Sequence, residues 1–159
     1  MSSSVGAALP PSRFAQLGPA ALPEGTLVIP LCTVDDAGFP HLALLGAWEV
    51  VAPDAGTLCF AVAGTSQSAR HLRRDGRATL ALVDARGAHY VKVRAREVAP
   101  AMRAAPWNAR FQARVEDVLA DAVDPGREGR SDLVHGIEAT ADPSAEPMRA
   151  GVRTELLEP

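Results

Sequence analysis

The sequence predicts a mainly β protein with a minor helical part (α+β), built from 159 residues as one domain. Apolar, β-branched runs follow one another at the spacing of hairpins, with turns rich in glycine and aspartate between them. One short helical pattern interrupts the strands, and a longer one follows late in the chain. Short strands in this order are typical of a barrel or a sandwich, and a barrel leaves fewer strand edges exposed.

The strand prediction rests on alternation and on turn chemistry. The segment Asp35–Gly38 carries carboxylates that hydrogen-bond nearby backbone and a glycine free to adopt positive φ, so it predicts the first hairpin. In residues 89–96, polar and apolar side chains alternate from Tyr90 onwards, which predicts one wet face and one buried face. The predicted strands cover residues 26–34, 39–51, 57–62, 77–83, 89–96 and 133–140.

Three helices are predicted. Ser66 is a good N-cap, and Gly76 ends the short helix that follows it. Pro106 opens a longer helix, whose apolar residues recur at helical spacing: Trp107, Phe111, Val115 and Val118. Residues 148–157 are predicted to be helical as well.

The first part of the chain differs in composition from the rest. Residues 1–24 are rich in Ser, Ala and Pro and have room for only one helical turn, so we predict a loosely ordered N-terminal arm. Residues 25–159 then form a single domain with a helical C-terminal part.

Composition and charge exclude several classes of function. The net charge of −3 offers no basic face for nucleic acid. No apolar run approaches the roughly 20 residues that span a bilayer, and the first residues lack the basic start of a secretory signal. We therefore predict a cytoplasmic protein without a nucleic-acid or membrane partner.

The residues that commonly carry chemistry are scattered. Cys32 and Cys59 lie in apolar runs and are expected to be buried thiols. Trp48 suits packing in the sheet wall or stacking on a ligand ring. The histidines show no metal-like spacing, so no metal site is predicted: His41, His71, His89 and His135. The sequence has no nucleophile elbow, phosphate loop or carboxylate-pair motif, so any catalysis must come from a cofactor.

Five short motifs follow one another in order between Cys32 and Val98. They are Thr33–His41, Leu58–Ala61, Ser66–Leu72, Asp75–Leu80 and Val91–Glu97. Their order and spacing resemble the core of the pyridoxamine 5'-phosphate oxidase-like FMN-binding split-barrel family. The resemblance implies a six-stranded antiparallel split β-barrel with a short inserted helix and one or two C-terminal helices.

In that family FMN lies in a groove between two subunits, so the resemblance implies a homodimer with a shared cofactor site. The strand His41–Gly46 is expected to approach the flavin, and the start of the short helix to hold the phosphate. His89 takes the place of a glutamine near the cofactor. The implied cofactor-binding residues are His41, Leu42, Ala43, Leu44, Leu45, Gly46, Ala61, Val62, Ser66, Gln67, Ser68, Arg70 and His89.

The chain departs from the family where the phosphate is held. His41, Gln67 and Ser68 stand where the oxidases have Arg, Arg and Lys. Gly46 replaces a lysine near the flavin, and Ala61-Val62 replaces a Tyr-Thr pair. Each charge-assisted hydrogen bond lost costs about 1.5–3 kcal/mol. FMN is therefore expected to bind more loosely, and pyridoxamine phosphate oxidation is not expected.

Some anion-binding features are present at the same place. Hydroxyls of Thr65, Ser66 and Ser68 lie at the start of the short helix, where free backbone N–H groups favour an anion. Arg70 follows in the first turn or so. It is expected to contact the phosphate, to pair with a carboxylate across a dimer interface, or to be a solvated surface charge, and the sequence leaves these alternatives open.

The function favoured by these observations is that of an FMN-binding oxidoreductase acting on a small molecule. Two alternatives stand beside it. One is a cofactor-free dimeric binding or structural protein, which the replacements at Gly46, Gln67 and Ser68 favour. The other is a relative that uses haem or a deazaflavin.

Overall fold

The structure is a computed structural model, and it describes residues 2–22, 27–121, 135–140 and 142–159. The strands are β1 (Ser2–Ser4), β2 (Leu27–Val34), β3 (Pro40–Gly46), β4 (Val50–Asp54), β5 (Thr57–Ala63), β6 (Arg77–Asp84), β7 (Gly87–Ala99), β8 (Asn108–Asp121) and β9 (Ile137–Glu138). The α-helices are α1 (Pro11–Leu17), α2 (Gln67–Asp75) and α3 (Glu146–Leu156), and 3₁₀ turns cover Ala47–Glu49 and Pro143–Ala145.

The strands form one antiparallel sheet that curls until its two ends meet. Its order is β3-β2-β6-β7-β8-β5-β4, with β1 paired to β8 and β9 paired to β2. β3 and β4 lie at opposite ends of this order, yet only Ala47–Glu49 separates them in the chain. So short a link spans at most about 14 Å, which forces the curl. Because β3 and β4 are not paired with each other, the barrel is split there, and the predicted fold class is confirmed.

Two hydrophobic cores lie on the two faces of the sheet. The larger fills the barrel, where Phe60 and Phe111 are cross-strand partners whose rings stack with centroids 5.9 Å apart. The smaller lies outside the barrel, between β4, β5 and α3. Its buried members are Val51, Cys59, Ala61, Met102, Ala105, Val152 and Leu156. Alternation along β5 supplies both cores, and Cys59 is a buried free thiol in the outer one.

The predicted short helix is confirmed as α2, and its caps are those the sequence indicates. Ser66 Oγ accepts a hydrogen bond from the Ala69 N–H at 3.2 Å, and Gly76 adopts a φ of 72° after the last turn. A Cβ at Gly76 would lie 2.4 Å from the Ala95 carbonyl oxygen, so only glycine fits. The first hairpin and the alternation of residues 89–96 are also confirmed.

The predicted late helix is wrong, because its residues form the long strand β8. Phe111 and Val115 are four residues apart, a spacing that places them on one face of a strand as readily as on one face of a helix. Val118 lies three residues further and is still buried, because the pairing of β7 with β8 shifts register just after Val115. Trp107, in the same apparent stripe, is 62% exposed. These residues form a strand because β8 pairs with β5 on one side and with β7 on the other.

The second predicted strand, residues 39–51, is divided by the 3₁₀ turn Ala47–Glu49. Glu49 supports this turn: Oε2 accepts the Gly46 N–H at 2.8 Å, and Oε1 accepts a hydrogen bond from Asn108 Nδ2 at 3.4 Å. Burial raises the pKa of Glu49, and these two donors partly offset that rise. The chain needs this interruption because it must pass from one end of the sheet to the other.

Residues 2–22, which belong to the N-terminal arm predicted from composition, contact the barrel through β1 and α1. β1 pairs with β8, and α1 buries Arg13 completely. Arg13 Nη1 donates to Asp84 Oδ1 at 2.9 Å, and Nε donates to His89 Nδ1 at 3.1 Å. Its Nη2 donates to two backbone carbonyls of the β6–β7 hairpin. This network fixes α1 to the hairpin.

The C-terminal helix predicted at residues 148–157 is confirmed as α3. The last predicted strand, residues 133–140, lies partly outside the described residues, and within them β9 pairs with the start of β2. None of the helices in the described ranges is long and apolar enough to cross a membrane.

We expect Arg13→Met to lower the free energy of unfolding by about 3–5 kcal/mol, because it leaves Asp84 buried without its main partner. Urea denaturation measures this loss. Arg77→Met is the matched control, since Arg77 pairs with Asp75 at the surface with 63% of its side chain exposed and should cost less than about 1 kcal/mol. A loss for Arg13→Met no larger than for the control would contradict the role given to the network.

The same network predicts a pH dependence. Burial by itself raises the pKa of Asp84, but hydrogen bonds and charge from Arg13 and the Arg86 N–H outweigh it and lower the pKa below its usual 3.8. The stability that the ionised carboxylate contributes is therefore present above about pH 4 and is lost as the pH falls through the lowered value. Acid titration of the unfolding free energy should show a smaller slope in Asp84→Asn than in the wild type. Equal slopes would mean that Asp84 is not the linked group.

Candidate functional site

A cleft of about 440 Å³ opens where the β2–β3 hairpin meets α2. Residues at i, i+3 and i+4 of α2 share one face, and that face lines the cleft. The lining residues are Asp35, Asp36 and Ala37 of the hairpin, His41 of β3, and Gln67, Arg70 and His71 of α2. The cleft thus brings together three predicted cofactor residues, His41, Gln67 and Arg70.

His71 is the buried centre of this cleft. It is 1% exposed, its Nδ1 lies 2.9 Å from Thr33 Oγ1, and its Nε2 is buried without a hydrogen-bond partner. The ring meets that of His41 edge-on, with centroids 5.2 Å apart. Burial first, and then the electrostatic influence of His41, Arg74 and Arg70, lower the pKa of His71 below its usual 6.5. The ring is therefore neutral at pH 7, and its Nε2 can still form a hydrogen bond.

Ser68 is a second buried polar residue of α2. It is 1% exposed, and its Oγ has no hydrogen-bond partner. It precedes His71 by three residues, which places the two Cβ atoms about 5–6 Å apart on one side of the helix. An unpartnered buried hydroxyl costs about 1–3 kcal/mol. The N-terminal half of α2 therefore holds two polar atoms that lack a partner.

The rim of the cleft carries exposed, paired charges. Arg70 Nη2 donates to Gln67 Oε1 and lies 3.9 Å from Asp36 Oδ2. Asp36 also pairs with Arg74. The side chains of Arg70 and Asp36 are 62% and 69% exposed, so their pairing is weak and easily rearranged. Arg70 is thus a cation that can turn toward an anion in the cleft.

β3 is an edge strand, since it ends the strand order on one side of the sheet. It pairs with β2 on one side, so alternate backbone N–H and C=O groups on the other side lack a strand partner. Leu42 and Leu44 point outward and are 65% and 64% exposed. Their direct partners on β2 are Cys32 and Pro30, both half-buried, which extend the same apolar outer face.

Gly46 ends β3, and the indole of Trp48 lies directly against it. A Cβ at Gly46 would lie 2.3 Å from Trp48 Nε1, so the ring occupies the space in which a side chain at position 46 would begin. The lysine that the family resemblance places here cannot coexist with Trp48 in this conformation. This contact gives a physical reason for the glycine.

The other predicted cofactor residues do not line the cleft. Ala61 packs in the outer core, whereas Leu45 and Val62 pack inside the barrel. Ser66 serves as the N-cap of α2, and Ala43 is half-buried on β3. His89 accepts its hydrogen bond from Arg13 at the β6–β7 hairpin, whereas the cleft lies near the start of β6.

His71 and Thr33 belong to the site but are not among the residues predicted for it. Helical spacing offers a signal for His71, since it follows Gln67 and Ser68 by four and three residues. The contact between His71 and Thr33 leaves no signal in the sequence, because His71 belongs to α2 and Thr33 to β2, far apart in the chain. In the part of the chain that the structure describes, no group of His, Cys, Asp and Glu is arranged to hold a metal ion.

No protein-family model matches the sequence, and no curated protein matches it. Solved structures do resemble it. One from Lactobacillus delbrueckii, provisionally described as a pyridoxamine 5'-phosphate oxidase, is 16% identical with a TM-score of 0.58, and the match covers 72% of this chain and 97% of that one. HupZ of Group A Streptococcus is 15% identical with a TM-score of 0.51, covering 69% and 90%.

A third is the flavin reductase of styrene monooxygenase from Pseudomonas putida S12. It is 13% identical with a TM-score of 0.50, and the match covers 62% of this chain and 81% of that one. The chain therefore shares the split β-barrel fold of the pyridoxamine 5'-phosphate oxidase-like proteins.

Proposed function

We propose that the protein is a homodimeric FMN-binding oxidoreductase acting on a small molecule. One observation carries the proposal: His71, which lines the cleft, has a buried Nε2 without a hydrogen-bond partner, and Ser68 Oγ, three residues earlier in α2, lacks a partner as well. Two proteins with this fold are described as a flavin reductase and, provisionally, as a pyridoxamine 5'-phosphate oxidase. Both descriptions support a flavin as the ligand.

The start of α2 suits the phosphate of FMN. The first N–H groups of a helix lack intrahelical partners and favour an anion. His71 Nε2 offers a further hydrogen bond, and Arg70 offers a positive charge at the rim. Because Arg70 and Asp36 are both exposed and 3.9 Å apart, a phosphate can replace Asp36 at little cost.

The edge of β3 suits the planar flavin ring. Backbone groups along a free strand edge can hydrogen-bond to the polar edge of a flat ligand. His41 joins this edge to the cleft, so phosphate and ring sites are continuous. When bound, the flavin supplies the transfer of hydride or electrons. The residues of this chain bind it, orient it and exclude water from it.

The apolar outer face of β2 and β3 suits a second copy of the chain. Leu42 and Leu44 are exposed there, and Phe39, just before β3, is 69% exposed. Soluble monomers rarely leave a contiguous apolar surface of this kind uncovered. A twofold contact on this face would be self-complementary and would lie beside the cleft, because both involve β3.

A cofactor-free dimeric binding protein is the second candidate. It is favoured by the pairing of Arg70 with Gln67 and Asp36, which uses the rim charge internally, and by Trp48, which fills the space of the expected lysine. An absorption spectrum after incubation with FMN separates the candidates. Flavin bands retained after desalting support the proposal, a colourless protein supports the second candidate, and a Soret band would indicate haem instead.

We expect Arg70→Gln to weaken FMN about tenfold or more and to leave riboflavin affinity unchanged, because only FMN carries the phosphate. Titration of flavin fluorescence measures both affinities. Arg77→Gln, which removes an exposed arginine outside the cleft, is the matched control and should change neither. Equal losses for FMN and riboflavin would place the phosphate elsewhere.

We expect Gln67→Lys to tighten FMN by about tenfold, because it adds a cation to the exposed start of α2. Position 67 is chosen over position 68 because Ser68 is buried and a lysine there would have to be buried too. Gln112→Lys adds the same charge on β8, away from the cleft, and should have no effect. If Gln67→Lys and Gln112→Lys change FMN affinity equally, the phosphate does not lie at the start of α2.

Leu42→Glu combined with Leu44→Glu should convert a dimer into a monomer, because two charges would be buried in the interface. Light scattering at several concentrations measures the mass. Val98→Glu, at an exposed apolar position on β7, is the control and should leave the dimer intact. A wild-type protein that is monomeric at all concentrations would remove the dimer from the proposal.

A further inference from the structure

A second cavity, of about 390 Å³, lies outside the barrel between the segment after α1, the 3₁₀ turn and α3. It contains none of the residues of the proposed flavin site. Its walls include Pro19, Leu22, Trp48, Arg149, Arg153 and Leu157. A volume of about 300–1,000 Å³ with mostly apolar walls and a few polar groups is typical of a small-molecule site.

The two arginines in this cavity differ from the buried Arg13 of α1 in their partners. Arg13 meets a carboxylate, whereas neither Arg149 nor Arg153 forms an ion pair within 4 Å with any described residue. Arg153 is 9% exposed, and its Nη2 donates only to the carbonyls of Gly18 and Ala21, at 2.7 and 3.0 Å. Burial lowers the pKa of Arg153, and no neighbouring carboxylate counters that effect. A buried cation without a counter-charge is costly unless an anion joins it.

Arg149 supplies the second, independent sign of a ligand. Its Nε is buried and has no hydrogen-bond partner. Its guanidinium carbon lies over the Trp48 ring, 5.9 Å from the ring centroid, so the cation adjoins the aromatic face in the cavity wall. Glu146, the carboxylate that also lines the cavity, is exposed and does not pair with Arg149 within 4 Å. The guanidinium is thus available to a carboxylate from solution.

We propose that this cavity binds a small organic carboxylate with a flat, apolar body. The carboxylate is held by Arg149 and Arg153, whose planar guanidinium groups match it in shape. The body lies against the Trp48 indole and the apolar side chains of Leu22 and Leu157. The contact between Trp48 and Gly46 keeps the indole in the cavity wall, because a larger residue at position 46 would displace it.

Benzoate and its neutral analogue benzamide test the charge requirement. Calorimetric titration should show benzoate binding about tenfold or more tightly than benzamide, because only benzoate forms charge-assisted hydrogen bonds. Arg149→Gln should remove that preference, and Arg114→Gln, at an exposed position on β8 that does not line the cavity, should not. If Arg149→Gln fails to fold, Arg149→Lys is the second variant. It keeps the positive charge but cannot form the two parallel hydrogen bonds of a guanidinium, so it should remain folded and bind benzoate less tightly.

Trp48 fluorescence tests the location. The chain contains two tryptophans, so Trp107→Phe leaves Trp48 as the single reporter. Benzoate should change its emission in step with the calorimetric binding curve, and Trp48→Leu should weaken benzoate. The proposal is overturned if benzoate and benzamide bind alike, if neither binds, or if binding leaves Trp48 emission unchanged. None of these measurements involves flavin, so they succeed or fail independently of the proposed FMN site.

Discussion

The short link between β3 and β4 is the constraint on which the rest of the structure depends. Three residues, Ala47–Glu49, join strands from opposite ends of the sheet, so the sheet has to curl. The curl encloses the inner core, and it leaves β3 as an edge because β4 does not pair with it. The same link turns Trp48 outward at the end of β3, where glycine at position 46 gives it room. The short link therefore explains both the unpaired edge of β3 and the position of the Trp48 indole outside the barrel.

Two buried arginines attach the N-terminal residues to this barrel. Arg13 reaches from α1 into the β6–β7 hairpin, and Arg153 reaches from α3 to the carbonyls after α1. Both satisfy backbone carbonyls that a loop would otherwise leave without partners, and so help to hold a segment rich in Ser, Ala and Pro against the barrel. They differ in their counter-charge: Asp84 neutralises Arg13, while Arg153 has no carboxylate partner in the described ranges. This difference separates a structural arginine from a candidate ligand-binding one.

The candidate sites lie at the two ends of β3 and have different chemistry. The cleft at the hairpin end is polar and holds a neutral, buried histidine beside rim charges that already pair with each other. The cavity beyond Gly46 is more apolar and holds unpaired guanidinium groups. A phosphate therefore suits the first, where backbone N–H groups and a movable arginine converge, and a carboxylate with an apolar body suits the second.

The sequence by itself determined the elements whose signals are local: the Asp35–Gly38 turn, the Ser66 and Gly76 caps of α2, the alternation of β7 and the helix α3. The motif order from Cys32 to Val98 also predicted the fold class. Only the tertiary structure decided that β8 is a strand, since a spacing of four suits both structures and the pairing with β5 and β7 chooses between them. It also decided that Arg13 is buried and that Thr33 meets His71. Contacts between residues far apart in the chain depend on how the sheet closes, and no local pattern of side chains records that closure.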